Sequence, residues 1–322
     1  MADFSLNHIK KITVPDDKKE IVEDYCKKMN AHYDARPTEN KQYKWQMSDF
    51  EIGCPLGTGK FGHVYLAREK STMLMIAIKV LYKEEIIKER MTHQVIRELE
   101  IQKHLNHPNI IQLYTYFHDR TRISLVLEFC GIGEMFTHMR KQPHQRYTEK
   151  DSAKYIYQVS DAIHYCHQKK VIHRDIKPEN LLLTMHEDVK ISDFGWSVHA
   201  PSLYRKTMCG TLDYLPPEMV TSQHYGKEVD NWCIGILMYE FLIGKPPFES
   251  KDQDTTFAKI KALSYTFPSW VSDKAKDLVR ALLVEKPKDR LPLPSVTKHP
   301  WIVENYAGAR PTTLNQTVTL ER

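Results

Sequence analysis

The sequence predicts an α+β chain in which a small strand-rich lobe is followed by a larger helical lobe, and three observations carry that reading. A glycine-rich turn, Gly57-Thr58-Gly59-Lys60-Phe61-Gly62-His63-Val64, sits between strand-like stretches at Phe50 to Pro55 and Val64 to Arg68. Ala77-Ile78-Lys79-Val80 and the alternating run Ile123 to Glu128 add two more short strands. Beyond residue 134 the period changes. Ser152 to Gln168 repeats at helical spacing, and Trp232 to Leu242 is apolar nearly all round, the pattern of a buried helix.

Taken in order, residues 1–45 are lysine-rich, lack glycine and have thinly spread apolar residues. Asp17 to Ala31 offers a short amphipathic stripe of Ile21, Val22, Tyr25, Cys26 and Met29, marginal by itself. We expect a largely disordered arm that orders on a partner. The compact part is expected over 46–303: a small lobe at 46–128, a hinge at 128–133 where Phe129-Cys130-Gly131-Ile132-Gly133 loosens the strand pattern, and a helical lobe at 134–303. A short tail, 304–322, follows. Within the small lobe Met91 to Asn106 reads as a helix with Val95, Leu99, Gln102 and Leu105 on one face, ended by Pro108.

Bulk composition narrows the class. Hydrophobic content of 41% and charged content of 27% suit a soluble globular protein with a full core. The longest apolar run, Trp232 to Ile243, is interrupted by Glu240 and too short to span a bilayer. Asp3, Ser5 and Asn7 break any signal-peptide pattern, so a nuclear or cytoplasmic protein without membrane attachment is expected. Six dispersed cysteines argue against a zinc site and a disulfide framework. The net charge of +5 fits a solvated basic exterior, and no nucleic-acid module is visible.

The chemistry-bearing stretch is His173-Arg174-Asp175-Ile176-Lys177-Pro178-Glu179-Asn180, answered thirteen residues after its Asn by Asp193-Phe194-Gly195. Two linked motifs in this order, behind a glycine-rich turn and a strand lysine, resemble those of the eukaryotic protein kinases. The resemblance implies the bilobal kinase fold, with ATP and Mg2+ in the cleft between lobes and transfer of the terminal phosphoryl to a hydroxyl. It implies that Asp175 accepts the hydroxyl proton and that Asn180 and Asp193 hold magnesium. Lys79 meets the phosphates, and Lys177, with Thr211, steadies the transferring group and Asp175. Glu98, nineteen residues after Lys79, is the expected partner of that lysine, and Glu100 is the competing choice. The ATP-binding set is Gly57, Gly59, Gly62, Val64, Ala77, Lys79, Leu127, Glu128, Cys130 and Glu134. Glycines let the backbone close over phosphates, where a side chain at Gly59 or Gly62 would obstruct. Glu134 has two readings, a bond to ribose or a substrate arginine, or charge compensation at a helix start.

The segment after Asp193 sharpens the resemblance. Trp196-Ser197-Val198-His199-Ala200-Pro201-Ser202, then Arg205-Lys206-Thr207-Met208-Cys209-Gly210-Thr211, then Pro216-Pro217-Glu218, are similar to the Aurora kinases over roughly residues 45 to 303. That family implies Ser/Thr specificity and activation by phosphorylation of Thr207, whose added charge orders its loop through cations. Arg174, Arg97 and Arg205 are the candidate clamp, although Arg97 also reads as a helix-surface charge. Substrates with arginine two residues upstream are implied, and a carboxylate fork suits a guanidinium. Glu179 is the matching position, and Glu240 is a second candidate for which pairing inside a buried helix is equally open.

Thr115 in Leu113-Tyr114-Thr115-Tyr116, together with Arg205-Lys206-Thr207-Met208 and Trp232-Cys233-Ile234-Gly235, points to the Aurora B-like, chromosomal-passenger branch over the A-like, spindle-pole branch. That branch implies an inner-centromere-protein activator on the small lobe, histone H3 tail and kinetochore substrates, and action in chromosome segregation and cytokinesis. It also implies placement on chromosomes, centromere and spindle midzone, with a monomeric kinase domain apart from its activator. Departures from the pattern are Thr58, Cys54 and Asn231, the last expected to weaken packing beside Asp230. Cys130 and Cys209 stand as an inert or a reactive thiol. Arg280-Ala281-Leu282-Leu283 resembles a destruction box inside an expected helix. A pseudokinase scaffold is disfavoured by the intact Lys79, Asp175 and Asp193.

Overall fold

The computed structural model describes residues 44–59, 61–195, 197–199 and 211–307. The expected N-terminal arm up to residue 43, Lys60, Trp196, Arg205, Thr207, Cys209 and the tail from residue 308 lie outside them. The described chain divides into two units, one of residues 44–104 and 112–129, the other of 105–111 and 130–307.

The first unit is built on a five-stranded antiparallel sheet in the order β1-β2-β3-β5-β4. Its strands are β1 (Phe50–Gly59), β2 (Gly62–Glu69), β3 (Met75–Tyr82), β4 (Leu113–His118) and β5 (Arg122–Glu128). Two helices, α1 (Lys83–Lys88) and α2 (Thr92–Lys103), follow β3. Alternation along β3 sorts the core. Ile76, Ile78 and Val80 pack with Phe50, Phe117 and Val126 on one face, where Trp45 stacks on Phe50 at 5.6 Å. Leu81 on the other face packs with Val95 and Leu99 of α2, and with Ile123 and Leu125 of β5. That second face also carries Lys79, which is why a lone strand lysine is turned toward a helix.

The expected helix to Asn106 stops at Lys103. The following stretch belongs to the second unit: Asn109 Nδ2 donates to the Val189 carbonyl at 2.8 Å, and Ile111 N to the Ile191 carbonyl at 2.9 Å. Periodicity reports that Leu105 is buried, not which body buries it.

The second unit is mainly helical. Its elements are β6 (Gly133–Glu134), α3 (Met135–Lys141), α4 (Glu149–Gln168), β7 (Val171–Ile172), β8 (Leu181–Leu183), β9 (Val189–Ile191) and β10 (Val198–His199). Helices α5 (Pro217–Val220), α6 (Glu228–Ile243), α7 (Gln253–Ala262), α8 (Asp273–Leu282), α9 (Leu293–Val296) and α10 (Pro300–Asn305) complete it. Helix α4 starts three residues before the expected Ser152 because Thr148 caps it, accepting from Asp151 N at 3.1 Å. Helix α6 is buried from Val229 to Leu242 and stops at Gly244, whose φ of 93° suits glycine. Asn231 is buried and bonded into its surroundings, its amide donating to the Leu291 carbonyl at 2.9 Å. Of the destruction-box likeness, Leu282 and Leu283 are core residues packed against Gly235, whereas Arg280 is exposed. No helix among the described residues is long and apolar enough to cross a membrane.

Candidate active site

In the first unit, Lys79 Nζ donates to Glu98 Oε1 at 3.0 Å. Glu98 is buried on the inner face of α2, whereas Glu100 is exposed. Strand register groups the rest of the expected nucleotide set. Val64 lies opposite Lys79, and Ala77 opposite Leu127, so Val64, Ala77, Lys79 and Leu127 share one face of the sheet. Glu128 donates its N–H to the Gln112 carbonyl at 2.9 Å.

The glycines of the turn separate into two kinds. Among the described residues nothing lies within 4 Å of a Cβ added at Gly57, and only the Gly62 carbonyl oxygen, at 3.9 Å, lies near one added at Gly59. At Gly62 a Cβ would run into the Val80 carbonyl oxygen. Its glycine is therefore required by the β2–β3 contact inside the sheet, a reason distinct from the phosphate clearance expected from the sequence.

In the second unit the residues of the stretch 173–180, the expected catalytic loop, converge. Lys177 Nζ lies 3.0 Å from Asp175 Oδ2 and donates to Thr211 Oγ1 at 2.7 Å, while Thr211 Oγ1 donates to Asp175 Oδ1 at 3.4 Å. Asn180 Nδ2 donates to the Asp175 carbonyl at 2.7 Å and to Asp175 Oδ2 at 2.8 Å. With its amide nitrogen so used, the side-chain oxygen of Asn180 is the atom that could face a cation. The antiparallel pair β8–β9 closes the thirteen-residue gap to Asp193, and Ser192 N donates to the Asn180 carbonyl at 2.9 Å. Asp193 adopts a φ of 57° and accepts from Gly195 N at 3.0 Å. Phe194 is buried with its ring edge-on to His173 at 5.0 Å.

The loop is anchored from beneath by Asp230, fully buried at the start of α6. It accepts from His173 N at 3.0 Å, Arg174 N at 2.8 Å and His167 Nε2 at 2.7 Å. Burial alone would raise its carboxyl, but the bond and charge of His167, the charge of His173 and the Arg174 N–H hold it below the ordinary range. Arg174 is buried, and its guanidinium donates to the Tyr225 hydroxyl at 2.8 Å. Arg97 is exposed on α2. Cys130 is buried. Glu134 is exposed at the N-cap of α3 and makes no capping bond with its side chain.

Glu179 is exposed, whereas Glu240 is buried within α6 and accepts from the Tyr214 hydroxyl at 2.5 Å. The open question about Glu240 thus has a buried partner in its answer. Burial, joined by the nearby charges of Glu179 and Glu249, pushes its carboxyl up from 4.5 to about 7 against the opposing pull of Tyr214 and Arg140. Three contributors escaped sequence reasoning: Tyr214, His167 and Arg290. Arg290 grips the motif carboxylate Glu218 through two bonds of 2.7 and 2.6 Å while buried. Tyr214 lies only three residues beyond Thr211, but nothing local ties it to Glu240.

A strand lysine held by a helix carboxylate in one unit, and an aspartate bonded to lysine, threonine and asparagine in the other, are the arrangement that the resemblance to protein kinases implies. Residues 50–302 match the protein kinase domain family. Aurora kinase C of Mus musculus is 54% identical over 275 residues, 85% of this chain and 99% of that protein. Aurora kinase B-A of Xenopus laevis is 52% identical over 273 residues, 85% of this chain and 75% of that protein. Aurora kinase A-B of the same organism is 53% identical over 267 residues, 83% of this chain, which spans 65% of that relative. The chain belongs to the Aurora family of Ser/Thr protein kinases, a family that uses ATP and a divalent metal and acts on protein substrates.

Proposed function

We propose that this kinase transfers the γ-phosphoryl of ATP to serine or threonine lying two residues after an arginine, and that Asp175, Lys177, Asn180 and Asp193 carry the chemistry. The observation that carries this reading is the Asp175–Lys177–Thr211 cluster. Asp175 is held through its carboxylate by Lys177 and Thr211 and through Asn180, an arrangement suited to aligning a hydroxyl and accepting its proton. Lys79, fixed by Glu98, is positioned for phosphate oxygens. Asn180 and Asp193 offer an amide and a carboxylate oxygen, the hard donors magnesium favours, and Mg2+ bound there would neutralise phosphate charge. Glu179 and Glu240 are the assigned arginine site. Thr207 is the assigned activating phosphosite, with Arg174, Arg97 and Arg205 as its clamp.

Among Aurora branches we favour the B-like one, with an inner-centromere-protein-like activator, histone H3 tail and kinetochore substrates, and action on mitotic chromosomes, centromere and midzone. Thr115 supports it: this residue, half-buried on β4 just after a bulge, stands where A-like chains carry glycine. The A-like reading keeps one supporting fact, the near-equal identity of the Xenopus A-B and B-A relatives. The test is transfer from Mg-ATP to a serine peptide with arginine at the second upstream position. Its arginine-to-alanine twin and an Asp193→Asn enzyme are controls, with and without an inner-centromere-protein fragment. Transfer needing the arginine and Asp193, and stimulated by the fragment, is expected. Indifference to the fragment removes the branch assignment, and no transfer from Thr207-phosphorylated enzyme removes the chemistry.

A further inference from the structure

Glu240 stands apart from the other buried acids of the second unit. Asp230 accepts three bonds and Glu218 faces the doubly bonded guanidinium of Arg290. Among the described residues Glu240 accepts a single bond, from the neutral hydroxyl of Tyr214 in the turn Leu212–Tyr214. The charged groups that bear on it come from three other elements. Glu179 belongs to the catalytic-loop turn, Glu249 follows α6, and Arg140 ends α3. Two of the three are anionic. The one cation among the described residues that bears on it, Arg140, is turned elsewhere, donating to Gln145 Oε1 at 2.9 Å and lying 5.0 Å over the Phe136 ring. Burial and then Glu249 also raise Asp213, the residue beside Tyr214, so negative charge accumulates on this side of α6 without a compensating ion pair among the described residues.

We propose that a proton and the substrate's arginine compete for the Glu240 carboxyl, with Tyr214 as the positioning residue that sets the balance. The inference rests on the assignment of Glu179 and Glu240 as the arginine site. In the empty site Glu240 carries a proton for much of the time near neutral pH, because burial and two neighbouring carboxylates oppose its ionisation. Docking of a guanidinium supplies the missing counter-charge. The carboxyl O–H breaks, its proton passes to solvent, and the carboxylate accepts N–H bonds from a guanidinium that stays protonated throughout. Tyr214 keeps its own proton, since burial and the adjacent Glu240 push its hydroxyl well above 10, so it always donates. Selectivity for arginine is thereby linked to pH through a residue away from the reacting atoms.

The experiment is the ratio of kcat/KM for the arginine peptide to that for its alanine twin, measured from pH 6 to 8.5. Titrations acting on both peptides cancel in this ratio. One-proton competition at a group near 7 raises the ratio about tenfold between pH 6 and 8, through KM. Glu240→Gln should flatten the profile, and Tyr214→Phe, which removes the hydroxyl that favours ionisation, should move its midpoint to higher pH. Calorimetric titration of the arginine peptide at pH 7 in two buffers of different ionisation enthalpy should register proton release. Circular dichroism of each variant separates misfolding from these effects. A flat wild-type ratio, with preference for arginine lowered by Glu240→Gln, overturns the competition and leaves the arginine site standing. A ratio unaltered by both Glu179→Gln and Glu240→Gln overturns the site assignment itself.

Discussion

Two buried glutamates, one in each unit, have been pushed in opposite directions. Glu69, at the end of β2, is surrounded by its own turn: Ser71 and Thr72 donate from both backbone and side chain at 2.6 to 3.1 Å. Burial opposes its ionisation, yet the bonds from Thr72 and then Ser71 outweigh burial and hold the carboxyl at about 2. Glu240 is buried with one hydroxyl for company and lies at about 7. Burial by itself does not decide the charge of a carboxyl; the supply of donors does. Where donors are complete the acid serves the fold, as Glu69 does in a tight turn and Asp230 does beneath the catalytic loop. Where they are incomplete, the acid has capacity for a cation from elsewhere.

The sharpest test of that contrast is Asp230→Ala, which strips a fully satisfied acid from its donors. It leaves His167 and the N–H groups of residues 173 and 174 unpaired, and the expected loss is about 3–5 kcal/mol in urea denaturation, with slowed phosphoryl transfer. Next is Gly62→Ala, set beside Gly57→Ala. The first must displace the Val80 carbonyl and should cost about 1–3 kcal/mol. The second enters open space, so its unfolding midpoint should match the wild type; equal losses would remove the distinction between the two glycines.

Glu69→Gln should lower the melting temperature by roughly 2–4 °C per kcal/mol of bonding lost, without altering preference for arginine. The most informative effect is the pH dependence. The folded value of Glu69 lies below 4.5, so its contribution is present above 4.5 and is lost as pH falls toward about 2. Glu240 runs the other way. Its folded value lies above 4.5, so its contribution is present below 4.5 and is lost as pH rises through about 7. Glu240→Gln should therefore remove a decline in stability between pH 4.5 and 7 and leave the acid limb unchanged. A variant that instead steepens the decline contradicts the proton assigned to Glu240.

Much of this molecule was legible in one dimension. Four of the five strands of the first unit follow from alternation and its glycine turn, β4 being the one not anticipated, and the long helices of the second follow from their apolar period. Spacing selected Glu98 over Glu100 because nineteen residues carry the chain from β3 onto the inner face of α2. The two motifs around Asp175 and Asp193 named the chemistry, since phosphoryl transfer restricts which side chains can serve and in what order. What the sequence could not contain was the company each residue keeps. Helix α2 ends at Lys103 because the next residues are bonded by β9, some eighty positions later. Gly62 is glycine on account of Val80, and Arg290 matters through Glu218, 72 residues earlier. Glu240 took its character from Tyr214, Glu179 and Glu249, brought together by packing. Periodicity records whether a side chain is buried. Its charge depends on donors and ions that only the folded chain assembles, so the identity of the acids was determined by the sequence and their protonation by the tertiary structure.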